Sequence, residues 1–224
     1  DTQDNYVKRL ESTLNKLERP FDRPSKPVYR GQSNIIVAVS IGLQSSLTAI
    51  AVDIISQQVL TYRSTRQLLG DNYLLFNRQK NLQKQQRHLN HKAQKQGQSR
   101  QFSNSELGNH LDRLFAKAIV ELAQNYGAGS IALPKLAQIN LSIQSEIDTM
   151  AQQKIPDCKK GQKKYAKQMR INLHSWSYGR LSAAILNKAG QSGITIEYGD
   201  QPPRASPSEQ AREIALSAYA NRST

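Results

Sequence analysis

The sequence predicts an α/β protein, a mixed sheet that begins as an antiparallel meander and is flanked by helices. Three observations lead there. Asn34–Ser40, Asn-Ile-Ile-Val-Ala-Val-Ser, carries β-branched Ile35, Ile36, Val37 and Val39 with no charge between them, which is the pattern of a buried strand. Two further apolar runs, Leu47–Ile55 and Val59–Arg63, follow after short polar connections, as in a meander. From there to the end, helical and strand patterns alternate in the order β-β-β-α-α-β-α-β-α, which calls for a sheet covered by helices.

Before the sheet, Asn5–Leu17 places Val7, Leu10, Leu14 and Leu17 at helical spacing, an amphipathic helix expected to pack on something. Pro20, Pro24 and Pro27 make the next stretch an extended linker, with a boundary near Gly31. Residues 1–33 are therefore assigned to the end of a preceding domain and 34–224 to the sheet domain. The chain starts at Asp1 rather than Met, which suggests a piece of something longer. After the meander, Asp71 is the expected N-cap of a long helix to Gln96, with Gly97 as its stop. Leu75, Leu82 and Leu89 form a narrow docking seam on it. Ser105–Tyr126 is a second helix with Leu107, Leu111, Leu114, Ala118, Leu122 and Ala123 inward. Ser130–Leu133 is a strand stopped by Pro134, and Asn140–Met150 a short helix. Gln152–Arg170, with Pro156, Gly161 and few apolar residues, reads as a flexible loop. Asn172–Ala189 returns to helix, and the spacing of Trp176 places it in the core rather than on a base. Ile194–Tyr198 is a strand. Ser208–Ala220 is a last helix, capped by Ser206 or Ser208, with Ala211, Ile214, Ala215 and Ala218 inward.

Charge is concentrated. Of a net +14, Asn72–Ser105 supplies +7 with no acid, through Arg78, Lys80, Lys84, Arg87, Lys92, Lys95 and Arg100. Gln152–Arg170 supplies +6, through Lys154, Lys159, Lys160, Lys163, Lys164, Lys167 and Arg170 against Asp157. Single-signed stretches of this kind face a polyanion, above all nucleic acid. His88 and His91 sit three apart among bases without a third ligand, so phosphate contact is expected there rather than metal. One cysteine, Cys158, permits neither an internal disulfide nor a thiolate zinc cage, and fits a reducing, cytoplasmic setting. No apolar run approaches the length of a membrane span.

Three phrases carry a family resemblance: Val37-Ala38-Val39-Ser40-Ile41-Gly42-Leu43; Gly127-Ala128-Gly129-Ser130-Ile131-Ala132-Leu133-Pro134-Lys135-Leu136; and Ser175-Trp176-Ser177-Tyr178-Gly179-Arg180-Leu181 leading through Asn187-Lys188-Ala189-Gly190 to Gly193–Tyr198. In this order the chain, from about Asn34 to Ala220, resembles the RuvC-like branch of the RNase H superfamily. More narrowly it resembles the RuvC domain of type V CRISPR effectors and related transposon-encoded nucleases. The resemblance implies carboxylates holding two divalent metals, because only several anionic oxygens can keep two cations close together beside a phosphodiester. The family's first acid falls on Ser40 and its second on Pro134. Its third falls among Ser206, Pro207 and Ser208, and none of these residues is acidic. Other acids offer little replacement. Asp53 suits a hairpin turn, and Glu209 and Glu213 would meet Lys135. Many relatives also insert a four-cysteine zinc ribbon before the last helix, where this chain has only Gly199–Pro207.

The implied protein is a nuclease fold without nuclease chemistry, with no bound metal or cofactor. It is similar to the type V-K effector of CRISPR-associated transposons. That resemblance implies guide RNA and target DNA as ligands, and transposition proteins, including an AAA+ ATPase regulator, as partners. Expected phosphate contacts are Arg78, Lys80, Lys84, Arg87, His88, His91, Lys92, Lys95 and Arg100 on the long helix and beyond it. Lys159, Lys160, Lys163, Lys164, Lys167 and Arg170 are expected to add theirs from the basic loop. The competing classes are an active metal-dependent RuvC nuclease with relocated acids, and a scaffold for protein partners.

Overall fold

The structure, a computed structural model, describes residues 2–18, 29–42, 47–97, 106–173, 178–203 and 205–223. Its centre is a five-stranded sheet in the order β3-β2-β1-β4-β5. The strands are β1 (Gln32–Ser40), β2 (Thr48–Asp53), β3 (Gln58–Ser64), β4 (Ala128–Pro134) and β5 (Thr195–Gly199). β1, β2 and β3 pair antiparallel, whereas β4 lies parallel to β1, and β5 parallel to β4. This is the RNase H-like arrangement, and the expected meander is its antiparallel half.

β1 is apolar from Ile35 to Val39 because both faces of the sheet are covered there. Val37 and Val39 point into the larger core, with Ile131 and Leu133 of β4. Ile36 and Ala38 point into the smaller one, with Ile50, Val52 and Ala132. The larger core is closed by α4 (Glu106–Asn125) and α7 (Tyr178–Ser192), through Leu111, Phe115, Ile119, Leu181, Ile185 and Ala189. The smaller core is closed by α8 (Pro207–Ala220), through Ala211, Ile214, Ala215 and Ala218, the four residues expected to face inward. Ser206 is its cap: the hydroxyl accepts from the Glu209 N–H and the Glu209 carboxylate accepts from the Ser206 N–H.

Several elements depart from expectation. α1 (Thr2–Glu18) forms, but its apolar residues Tyr6, Val7, Leu10 and Leu14 are exposed among the described residues. Residues 19–28 of the expected linker lie outside the description, as do Arg100 and Trp176. Asp71 is not an N-cap. A short helix, α2 (Thr65–Leu69), capped by Ser64 and Gln67, precedes a 3-10 turn at Gly70–Asn72, and α3 (Tyr73–Lys95) starts only after it. α3 docks through buried Phe76, edge-on to Phe115, with Leu75 half-buried beside it. Leu82 and Leu89 of the expected seam are exposed.

The largest correction concerns the basic loop, which is helical. α5 (Leu136–Lys154) is longer than the expected Asn140–Met150 and buries Ile139, Ile143, Ile147 and Ala151, a stripe at steps of four. After a turn at Ile155–Cys158, with Asp157 at φ +63°, α6 (Lys159–Leu173) packs Tyr165, Ala166 and Met169 into the larger core against α5. Pro156 sits in the turn rather than in a helix, and lysine propagates a helix well once one side has somewhere to pack.

Candidate functional site

The positions that the resemblance marks as acidic meet at one end of the sheet. Ser40 closes β1, is 2% exposed, and donates its hydroxyl to the Pro207 carbonyl at 2.8 Å, at the start of α8. Ala38 of β1 pairs with Ala132 of β4, so two residues further on Ser40 stands beside Pro134, whose own neighbour on β5 is Gly199. Ser206 and Ser208 lie with their hydroxyl oxygens 3.2 Å apart at the head of α8.

Neutral amides fill the space around them. Buried Gln201 accepts from the Ile41 N–H at 3.2 Å and donates to the Ile41 carbonyl at 2.7 Å. It also donates to the Gln210 side-chain oxygen at 3.4 Å. Gln210, 1% exposed, donates in turn to the Pro202 carbonyl at 3.2 Å and to Glu146 of α5 at 3.4 Å. The Gln138 side chain accepts from the Gln201 N–H at 3.3 Å and donates to Asp200 at 2.5 Å. These three amides tie β1, α5, α8 and the segment after β5 together at the point where the resemblance would place metal-binding carboxylates.

The carboxylates present are mostly committed elsewhere. Lys135 pairs with Asp200 at 3.6 Å, not with Glu209 or Glu213 as the sequence suggested. The Gln138 hydrogen bond, then the Lys135 charge, hold Asp200 below the usual carboxylate range. Glu209 is lowered by its hydrogen bonds to Ser206 within the cap. Asp53 serves the β2–β3 turn, accepting from Asn34, Ile55 and Ser56. Glu146, beside Gly42, accepts from Gln210 of the amide cluster, and nothing in its sequence context marked it. Nearby, burial and then the Glu146 charge push Tyr178 up to about 12. Among the described residues no three His, Cys, Asp or Glu side chains are grouped to hold a metal ion. Hydroxyls, a proline ring, three amides and two carboxylates, of which Asp200 is paired with Lys135, do not fit a two-cation centre.

The cationic residues fall on two helices. On α3, Arg78, Lys80, His88, Lys92 and Lys95 are exposed, and the backbones of Lys84, Arg87 and His91 lie on the same helix. The Lys80 ammonium lies over the Phe76 ring, 4.7 Å from the centroid, and partial desolvation lowers its pKa. On α6, Lys159, Lys160, Lys163, Lys164 and Lys167 are all exposed. Their spacing forms one stripe opposite the Tyr165–Ala166–Met169 side, and Arg170 continues the helix. Residues expected to be scattered on a loop are thus aligned on a rigid rod.

Similarity to solved structures is distant. A chain in a cryo-EM structure of the Cas12f1–sgRNA–target DNA complex is 18% identical at a TM-score of 0.39, over 75% of this chain and 36% of that one. A chain in a cryo-EM structure of a CRISPR-Cas12f ternary complex is 17% identical at a TM-score of 0.40, over 82% and 31%. The present chain spans about a third of the length of each. No protein-family profile matches the chain, and no curated protein does. Among the described residues no helix is long and apolar enough to cross a membrane.

Proposed function

We propose that this chain is the nuclease-inactive RuvC-like part of an RNA-guided DNA-binding effector of the type V-K kind. It holds guide RNA and target DNA by their backbones and presents the bound complex to transposition proteins, including an AAA+ ATPase regulator. The observation that carries the reading is a juxtaposition. The α5–α6 hairpin, with its lysine stripe, springs from the end of β4 beside a hydrogen-bonded cluster of Ser40, Gln138, Gln201 and Gln210. Cations near such a cluster attract a phosphodiester, while a lining made mostly of amides and hydroxyls offers few of the anionic oxygens that two metals need. Sequence would then be read by base pairing with the guide and not by these side chains.

Glu146 favours a second reading, an active metal-dependent nuclease with a relocated acid. The deciding experiment uses the full natural protein with guide RNA and matched duplex, in magnesium or manganese. Stable binding without strand scission is expected. Cleavage that EDTA abolishes and Glu146→Ala or Glu209→Ala removes would overturn the reading.

A further inference from the structure

We infer that the groove between α4 and α7 is a second seat for a nucleic-acid strand, taking one phosphodiester rail along the outside of the helix layer; this rests on the nucleic-acid reading above. The two helices lead into the parallel strands β4 and β5 through short turns, so they run side by side in the same direction. Between them lies an open groove of about 760 Å³. One wall is Asn109, Arg113 and Lys117 of α4, at steps of four. The other is Arg180, Asn187 and Lys188 of α7. Ala116, Ala183 and Ala184 line it between the walls, with Leu114 and His110 the larger uncharged side chains of the α4 side.

The charge inside is of one sign where a ligand would meet it. The single acid lining the groove, Asp112, is 2% exposed and bound by Arg180 at 2.5 Å. Arg180 crosses α4 over Gly108, where a β-carbon would stand 2.8 Å from its guanidinium, and so is held at the groove's mouth. Lys117 has Glu121 at 3.6 Å, an exposed pair that a phosphate can displace. Among the described residues no carboxylate pairs with Arg113 or Lys188. Asn109, Asn187 and the neighbouring Gln191 add amide hydrogen bonds that carry no sequence preference. From Arg180 to Gln191 the α7 wall is roughly 16 Å long by helix rise. Its beginning lies near the pocket end of the sheet, because α7 runs antiparallel to β5. Arg180 also lines a small pocket with Gln79, Lys80 and Gln83 of α3, so the groove continues toward the basic helix.

The test measures binding of equal-length single-stranded RNA, single-stranded DNA and DNA duplex to the whole chain across a salt series. The variants are Arg113→Gln/Lys188→Gln in the groove and Lys163→Gln/Lys167→Gln on α6. The groove variant is expected to weaken at least one probe about tenfold and to flatten its salt slope by about 1.4 for a single strand or about 1.8 for a duplex. The probe affected identifies which strand the groove takes. Unchanged affinity and slope in the groove variant, with weakening in the α6 variant, overturns the groove and leaves the broader reading standing. A wild-type chain that binds none of the probes ends both. Should the groove variant fail to fold, Gln191→Lys decides. It is expected to steepen the slope by about 0.7 on a single strand, and no change overturns the proposal.

Discussion

Gln201 joins backbone and side-chain groups that are far apart in sequence. Its amide matches the Ile41 N–H and carbonyl at once, a pairing that a carboxylate cannot make because it has no donor. Gln201→Ala should therefore cost roughly 2–4 kcal/mol in urea unfolding, since both buried Ile41 groups lose their partner. Gln201→Glu should be worst at neutral pH and recover as pH falls toward 4, because the carboxylate would face the Ile41 carbonyl until it protonates. Tyr178 supplies a check at the other end of the scale. Its folded pKa is raised to about 12 by burial and by Glu146, so its contribution is intact below the ordinary tyrosine pKa near 10. Above that, the unfolded chain releases the proton first, and stability falls as pH rises through the folded value. The loss between pH 9 and 12 should be on the order of 2–3 kcal/mol larger in the wild type than in Tyr178→Phe, measured by denaturant titration at each pH.

At the scale of elements, α6 shows where sequence patterns stop being readable. The strand at β1 announces itself, because four β-branched residues in seven need no partner to be recognised. α8 does as well, since its four inward residues keep helical spacing. Among the described side chains of α6, Tyr165, Ala166 and Met169 mark its buried side, and its partner stripe, Ile139 to Ala151, lies a full helix upstream. Pro156 and Gly161 then mimic a broken segment. The amides of the pocket were illegible for a different reason. A glutamine has no periodicity, and what Gln201 does depends on a backbone group 160 positions away. Two substitutions separate the fold of the hairpin from its charge. Ala166→Asp buries a carboxylate in the α5–α6 contact and should unfold the hairpin, reducing helical circular dichroism and nucleic-acid binding together. Lys163→Glu/Lys167→Glu should leave the helical signal intact and weaken binding alone. Parallel losses in both would mean that these lysines stabilise the hairpin rather than contact a ligand. On the opposite face, Gly199 permits β5 to meet α8: a β-carbon there would stand 2.0 Å from the Ile214 carbonyl oxygen. Gly199→Ala should force the helix off the sheet at a cost of roughly 1–3 kcal/mol.

Over the whole molecule the two covers of the sheet differ in charge, and the difference orients the protein on a polyanion. The larger-core side carries α3, with six Lys and Arg residues and no acid, and α6, with another six and no acid. α8, which covers the smaller core, carries Arg212 against Glu209 and Glu213. A polyanion approaching this dipolar slab meets attraction on one side only, and screening shortens its reach to about 8 Å at physiological salt. Contacts should therefore be confined to the α3, α4, α6 and α7 side. Hydrogen exchange on the full chain, with and without bound RNA–DNA hybrid at low salt, reads this directly. Exchange should slow in α6 and in the exposed turns of α3, where amides are close to the surface and the bound strand suppresses local opening. It should stay unchanged in α8, whose own stability comes from Ile214 and three alanines in a core the ligand does not touch. Raising the salt should erase the α6 effect before it alters any core amide, because counterion release drives the first and burial maintains the second. Slowing centred on α8 would place the nucleic acid on the side without the basic helices and would overturn this placement.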